Sequence, residues 1–138
     1  MNDRYICKAK RKDNGEWVTG YYVFQRKRSG VFGQLISGLD FDRHLIIDLR
    51  GNSHEVIPET VRQCTGKTVK TGKVFEGDIG KSVDGLFLVR WSDEKSGFVM
   101  NFYDYPYEEL YLEEMWEDSE IVGNIHDNPE LILRSDTK

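Results

Sequence analysis

Short runs of apolar and β-branched residues, separated by polar turns, recur along most of this chain. The first two runs flank Asn14 and Gly15, a pair that tolerates the positive φ angles of a tight hairpin turn. The pattern therefore predicts an opening β-hairpin. The complete set of predicted strands covers residues 4–9, 17–24, 44–49, 74–81, 86–91, 98–102 and 121–126.

Four stretches break this strand pattern. Residues 25–42 are basic and then rich in glycine, which predicts a mobile loop. Residues 58–63 begin with a proline and predict a single helical turn. Apolar residues at helical spacing over 107–115 predict an acidic helix. The sequence Asn-Pro-Glu-Leu at 128–131 predicts the start of another short helix.

The predicted elements describe a mainly β protein with two regions and one or two short helices. Residues 1–56 form an N-terminal β-rich hairpin region that includes the loop at 25–42. Residues 57–133 form the second region, and residues 134–138 form a tail. A chain of 138 residues is long enough for one ordinary domain or two very small ones.

The net charge of −5 is distributed unevenly. Residues 1–34 carry eight basic and three acidic residues, whereas residues 84–138 carry four basic and fourteen acidic residues. This asymmetry is typical of a polyanion-binding face, an acidic interaction face or self-complementary ends, and a solvated surface also explains it. The basic N-terminal face would comprise Lys8, Lys10, Arg11, Lys12, Arg26, Lys27 and Arg28.

The candidate motifs for phosphate binding and metal binding lack the residue spacing that these sites require. Gly66, Lys67 and Thr68 resemble the end of a P-loop, but the position that requires the first glycine is Val61. The three residues at 44, 54 and 64 lack the close spacing of histidine and cysteine metal ligands. We therefore expect no catalytic residue, no metal, no cofactor and no small-molecule substrate.

Hydropathy and cysteine content bear on location. No apolar run approaches the roughly 18 residues that cross a bilayer. The first residues are polar, unlike a secretory signal, and two lone cysteines favour a reducing compartment. We expect a cytoplasmic protein without a membrane span.

An ordered series of short motifs resembles the YopX-like family of phage and prophage proteins. The series includes residues 11–18, residues 57–61, the Glu-Gly-Asp signature within 75–79, and residues 122–131. The matches run in order from residue 10 to residue 131. This resemblance implies a small β-rich protein that is encoded by a mobile element and acts in a bacterial host cell. It implies no catalytic residue.

The Glu-Gly-Asp turn introduces the first candidate binding residues. A turn of this kind, followed by a strand that ends in Val-Arg-Trp, is typical of small SH3-like barrels, so residues 57–133 are predicted to form an SH3-like β-barrel. Glu76 and Asp78 then either stabilise the turn through hydrogen bonds or rim a binding groove.

Aromatic residues supply the other candidates. Trp91 shares a strand face with Phe87 and Val89 and is predicted to anchor the core. Aromatic residues are enriched at the cores of interfaces. Among the aromatic residues of the acidic segment, Tyr105, Tyr107 and Trp116 are predicted to contribute to binding.

Two functional hypotheses follow. The first is a phage- or prophage-derived accessory protein that acts as a non-catalytic protein-interaction or self-assembly module. In this hypothesis the protein forms a homo-oligomer through residues 103–118 or binds another protein. The alternative is a nucleic-acid-associated phage protein that contacts phosphates through the basic N-terminal face.

Overall fold

The structure is a computed structural model that describes residues 3–27, 30–31, 34–35, 41–104, 109–115 and 118–133. The protein is mainly β, as the sequence predicts. Its strands belong to two compact units, one formed by Tyr5–Val61 and the other by the chain from Arg62 onward with the residues up to Arg4. The predicted boundary after residue 56 lies inside the first unit.

Antiparallel strands build the first unit. The four main strands are adjacent in the order β6-β5-β2-β1, and their bounds are β1 Cys7–Lys10, β2 Trp17–Lys27, β5 Phe41–Asp48 and β6 Ser53–Glu55. Two further short strands pair with each other, β3 Gly30–Val31 and β4 Gln34–Leu35. The opening hairpin is confirmed, because β1 and β2 pair around the Asn14-Gly15 turn. The loop predicted over 25–42 is wrong at both ends, since β2 continues to Lys27 and β5 begins at Phe41.

A small apolar core lies on one face of these four strands. Ala9, Ile46 and Val56 are buried there, and Val18 packs against them. The β2 and β5 backbones approach so closely that a Cβ atom at Gly20 would overlap the carbonyl oxygen of Ile47 in β5. Only glycine fits at this position.

The second unit contains a hairpin and a five-stranded antiparallel sheet. The hairpin pairs β7 Arg62–Val69 with β8 Gly72–Phe75. The sheet has the order β12-β11-β10-β9-β13, with the bounds β9 Asp78–Ser82, β10 Gly85–Ser92, β11 Gly97–Phe102, β12 Leu110–Tyr111 and β13 Glu120–Asn124. The polar strand β7 is absent from the sequence prediction, which places helical and turn residues over much of it.

The five-stranded sheet is open. Among the described strands, β12 and β13 are the two outer strands, and no backbone pairing joins them. The predicted SH3-like barrel is therefore not confirmed, although the predicted β class is correct.

The helical predictions have mixed outcomes. The helical turn predicted over 58–63 is confirmed at Pro58–Thr60, although Arg62 already belongs to β7. The predicted short helix is confirmed as α1 at Glu130–Leu133. The predicted acidic helix is wrong in its described part, because Leu110 and Tyr111 form β12 and Leu112–Glu114 form a single 3-10 turn. A third 3-10 turn, Asp3–Tyr5, replaces the start of the strand predicted at 4–9. No helix in the described ranges is long and apolar enough to cross a membrane.

Two aromatic rings define the core of the second unit. Phe87 and Phe102 are paired across β10 and β11, with ring centroids 5.2 Å apart. They belong to a buried cluster that also contains Val69, Val74, Val89, Met100, Leu112 and Met115.

Trp91 does not anchor this core. Its side chain is 44% exposed, its ring packs edge-on against Phe98, and its indole N–H donates to the Asp93 carboxylate at 2.9 Å. The prediction is wrong because β10 extends past the buried cluster. Phe87 and Val89 are buried on the shared face, whereas Trp91, near the end of the strand, is exposed.

Candidate binding surface

The β2–β5 ribbon presents exposed apolar side chains on the first unit. β2 and β5 pair continuously from Gly20 and Asp48 to Lys27 and Phe41, whereas β1 pairs with β2 only as far as Gly20. In the described part of the chain, no third strand lies beside β2 past Tyr21. Beyond Tyr21, the edge of β2 that faces away from β5 is therefore open to a partner.

Three rings on one face of the ribbon form the aromatic patch, defined here as Tyr22, Phe24 and His44. Tyr22 and Phe24 share a face because side chains alternate along a strand, and His44 lies opposite Phe24 in the register. The Tyr22 and His44 rings stack with centroids 6.0 Å apart, and the Phe24 ring lies 5.1 Å from the His44 ring. The Tyr22 hydroxyl and His44 Nδ1 form a 2.5 Å hydrogen bond. Each ring is thus held by its neighbours.

The aromatic patch continues the face that carries the core of the first unit. Tyr22 lies directly opposite Ile46, which is completely buried, and yet Tyr22 is 38% exposed and Phe24 is 48% exposed. The apolar face therefore extends beyond the buried core of the first unit and is exposed at Tyr22 and Phe24. An exposed apolar surface of this kind is a common feature of interaction sites.

An ion pair borders the aromatic patch. Arg26 Nε lies 3.2 Å from Asp42 Oδ1, and the guanidinium carbon is 6.0 Å from the centroid of the Phe24 ring. Because both charged side chains are exposed, their attraction adds little to stability. A ring cluster with a charged border has the arrangement of an interface centre and its rim.

The predicted basic N-terminal face is divided. Lys8 and Lys10 lie on the opposite face of the strands from Arg26, and Lys10 Nζ is 5.3 Å from the centroid of the Trp17 ring. The two basic residues of the first turn are paired with carboxylates, Arg11 with Asp13 at 2.7 Å and Lys12 with Glu55 at 3.2 Å. This division weighs against a continuous phosphate-binding face.

The Asp78 carboxylate lies inside the second unit. One oxygen accepts a 2.6 Å hydrogen bond from Arg62 Nη1, and the other accepts the backbone N–H of Phe75 at 2.8 Å. Arg62 also donates to the Glu76 carbonyl oxygen at 3.3 Å. Gly77, between Glu76 and Asp78, has a φ of 86°, which favours glycine. These contacts support the architectural interpretation of the turn.

Sequence reasoning placed the candidate aromatic residues elsewhere. Tyr105, Tyr107 and Trp116 lie outside the described residues. The sequence allows Tyr22 to be an exposed ring of a stacking surface, but it does not indicate the aromatic patch, because Phe24 sits in an apolar run that resembles a buried strand. The sequence gives one indication of this surface: the strand predicted at 17–24 is longer than the strand predicted at 4–9, which forms a hairpin with it.

Asp48 and His54 form a carboxylate–imidazole pair at the β5–β6 turn. His54 Nε2 lies 2.8 Å from Asp48 Oδ2, and the backbone N–H groups of Asn52 and Arg50 each donate to Asp48 Oδ1 at 2.9 Å. The hydrogen bond from His54, with those from Asn52 and Arg50, lowers the pKa of Asp48 to about 2.

This pair has the geometry of the orienting half of a catalytic triad. Within the described residues, however, no serine, threonine or cysteine is hydrogen-bonded to the other ring nitrogen of His54. An open cleft of about 290 Å³ lies beside His54, and its basic side chains Arg11 and Lys12 are the ones already paired with carboxylates. The contacts of Asp48 instead serve to close the turn.

We expect Asp48→Asn to make the protein less stable near neutral pH. Because the folded pKa of Asp48 lies below its ordinary value of 3.8, its ionised form is favoured by folding. The stabilisation is fully present above about pH 4 and is lost as the pH falls toward 2. Thermal unfolding followed by circular dichroism should show a difference between parent and variant that shrinks over this pH range.

Asp42→Asn is the matched control for this experiment, since Asp42 belongs to an exposed ion pair. Its difference from the parent is expected to be small at every pH. A constant difference for Asp48→Asn from neutral pH to pH 2 would contradict the role assigned to its ionised form.

The family model described as YopX protein matches residues 8–133, which is nearly the whole chain. No curated protein matches the chain.

Proposed function

Because the chain belongs to the YopX family, we propose that it is a phage- or prophage-derived accessory protein that works as a non-catalytic protein-interaction module. The aromatic patch is the observation that carries this proposal. It places Tyr22, Phe24 and His44 on an exposed ribbon whose β2 edge has no neighbouring strand in the described part of the chain past Tyr21.

The patch suits binding because its rings are organised before a partner arrives. Aromatic residues often dominate the binding free energy of an interface when they are fully desolvated at its centre. The hydrogen bond between Tyr22 and His44 and the packing of Phe24 on His44 restrict ring motion. Restriction in the free protein lowers the entropic cost of association.

A second copy of the chain is the partner that we propose first. The N-terminal part of the sequence is basic and residues 84–138 are strongly acidic, so two copies offer each other opposite charges. The proposed homo-oligomer uses the aromatic patch on the first unit. Residues 103–118 contribute the acidic contact.

The double variant Tyr22→Ser, Phe24→Ser is expected to weaken self-association by about tenfold to a hundredfold, because loss of a central aromatic contact commonly costs about 2 kcal/mol or more. Multi-angle light scattering over a concentration series measures the effect. Val83→Ser is the control, since Val83 is 88% exposed in a turn of the second unit. It should leave the association constant unchanged.

The parent protein must itself self-associate for this partner to be correct. A parent that stays monomeric throughout the concentration series defeats the homo-oligomer. If the double variant associates as tightly as the parent, the aromatic patch is not the contact.

The nucleic-acid hypothesis is the second candidate, and one contact favours it. Arg26 beside the Phe24 ring combines a cation with an aromatic platform, as single-strand-binding surfaces do. Binding to mixed-sequence single-stranded DNA, measured on the same samples across a salt series, separates the two functions. Affinity that falls steeply with salt would favour nucleic acid over a protein partner.

A further inference from the structure

A small cavity in the second unit is separate from the aromatic patch. Its volume is about 50 Å³, and four oxygen-bearing side chains line it: Ser82, Asp84, Glu114 and Ser119. Asp84 and Glu114 are exposed, whereas Ser119 is only 2% exposed. The cavity therefore has acidic side chains toward solvent and a buried hydroxyl.

The hydroxyl of Ser119 is the most informative group in this cavity. Its oxygen is buried and makes no hydrogen bond to any described residue. A buried hydroxyl without a partner is unfavourable and is uncommon in folded proteins. A hydrogen-bond donor that enters the cavity would satisfy it.

The remaining walls are apolar and limit the size of what enters. They include Phe87, Met100, Leu110 and Met115. A cavity of about 10–15 Å³ is enough for one water molecule, so about 50 Å³ admits a narrow group such as an ammonium with the methylene next to it. A planar guanidinium, with its three nitrogens, is broader.

An edge strand brings a polypeptide within reach of the cavity. Leu110, one of the wall residues, belongs to β12, and β12 is an outer strand of the five-stranded sheet among the strands that the structure describes. Outer strands accept an added strand through backbone hydrogen bonds, and alternate side chains of the added strand point into pockets.

We propose that this cavity binds the lysine side chain of an extended polypeptide segment that adds to β12. The ammonium group has three donors and no acceptor, which matches the hydroxyl of Ser119 and the carboxylates of Asp84 and Glu114. The apolar walls hold the end of the lysine stem. A divalent metal fits less well, since the described residues contain no group of three metal-ligating side chains.

The test uses the full-length protein labelled with ¹³C in its methionine methyl groups, because Met100 and Met115 line the cavity. The probe is the peptide acetyl-Thr-Val-Lys-Val-Thr-amide, titrated while the methyl signals are recorded. The same peptide with norleucine, acetyl-lysine or arginine in place of lysine is expected to bind at least about tenfold more weakly. Free butylamine, which lacks the backbone, should also be at least about tenfold weaker.

Ser119→Ala is expected to reduce affinity for the lysine peptide by about tenfold, since a hydrogen bond to a charged group is lost. It should not reduce stability, because the hydroxyl makes no hydrogen bond to any described residue of the free protein. The double variant Asp84→Asn, Glu114→Gln should reduce affinity by a similar factor or more. Glu94→Gln is the control, because Glu94 is exposed in the turn at the other end of β10.

Specific outcomes overturn the proposal. If the norleucine peptide binds as tightly as the lysine peptide, the ammonium group is not recognised. If butylamine binds as tightly as the lysine peptide, the polypeptide backbone does not contribute. Methyl shifts caused by Ca²⁺ or Mg²⁺ at lower concentration than the peptide would assign the cavity to a metal. The Tyr22→Ser, Phe24→Ser variant should bind the peptide at least as tightly as the parent, because the proposed self-contact through residues 103–118 includes wall residues of this cavity. Failure of the aromatic patch and failure of this cavity are therefore distinguishable.

Discussion

Asp78→Ala is expected to lower the free energy of unfolding by about 3–5 kcal/mol, the effect of removing one partner of a buried ion pair. Both side chains of the pair are almost fully buried, Arg62 at 4% and Asp78 at 5% exposure. The substitution removes the carboxylate that accepts from Arg62 Nη1 and from the Phe75 backbone. The charge of Arg62 then stays in a site that water reaches poorly.

Urea unfolding followed by circular dichroism measures this loss. Glu120→Ala is the matched control, because Glu120 forms a 2.9 Å ion pair with Lys70 in which both side chains are about half exposed. An exposed pair typically contributes less than about 1 kcal/mol. If the two variants lose equal stability, the burial of the Arg62–Asp78 pair does not have the assigned effect.

A double substitution separates the buried charge from the packing around it. Asp78→Leu combined with Arg62→Met removes both charges, and we expect it to restore part of the stability lost in Asp78→Ala. The Phe75 backbone N–H still loses its acceptor in this variant, so complete recovery is not expected. The Glu-Gly-Asp signature would then be explained by the architecture of its turn.

The parts of the fold that local turn chemistry determines could be predicted from the sequence. Asn14 and Gly15 place the first hairpin, and the proline at 129 marks the start of α1. Strands β10 and β11 are apolar runs bounded by polar turns, so their positions also follow from the pattern. In each case the information lies within a few residues.

Long-range pairing explains the elements that the sequence did not predict. Tyr111 pairs with Val99 of β11, and this contact holds Leu110 and Tyr111 as a strand although their spacing favours a helix. Strand β7 alternates buried residues such as Cys64 with exposed polar ones, but its polar composition conceals the alternation. Closure of a barrel likewise depends on whether outer strands meet, which local sequence does not encode.

The candidate binding residues show the same limit. Asp78 could be identified from its turn motif, but its partner Arg62 lies 16 residues earlier in the chain and in another strand. The aromatic patch requires the β2–β5 register, which joins Phe24 to His44 across the segment between the two strands. Neither contact can be predicted from the spacing of residues that are close together in the sequence.

Phe87 and Trp91 are aromatic residues of the same strand, β10, and they differ in burial. Phe87 is completely buried, and its ring occupies space that is available only because residue 80 is glycine, where a Cβ atom would overlap the ring. Phe87→Ala should therefore lower the free energy of unfolding by about 3–5 kcal/mol through lost burial and a residual cavity. Trp91→Ala should cost about 1 kcal/mol or less, because the indole is 44% exposed and loses mainly its edge contact with Phe98. Urea unfolding of both variants measures the two losses in the free energy of unfolding. A larger loss for Trp91→Ala than for Phe87→Ala would show that Trp91 is the main core residue of this strand.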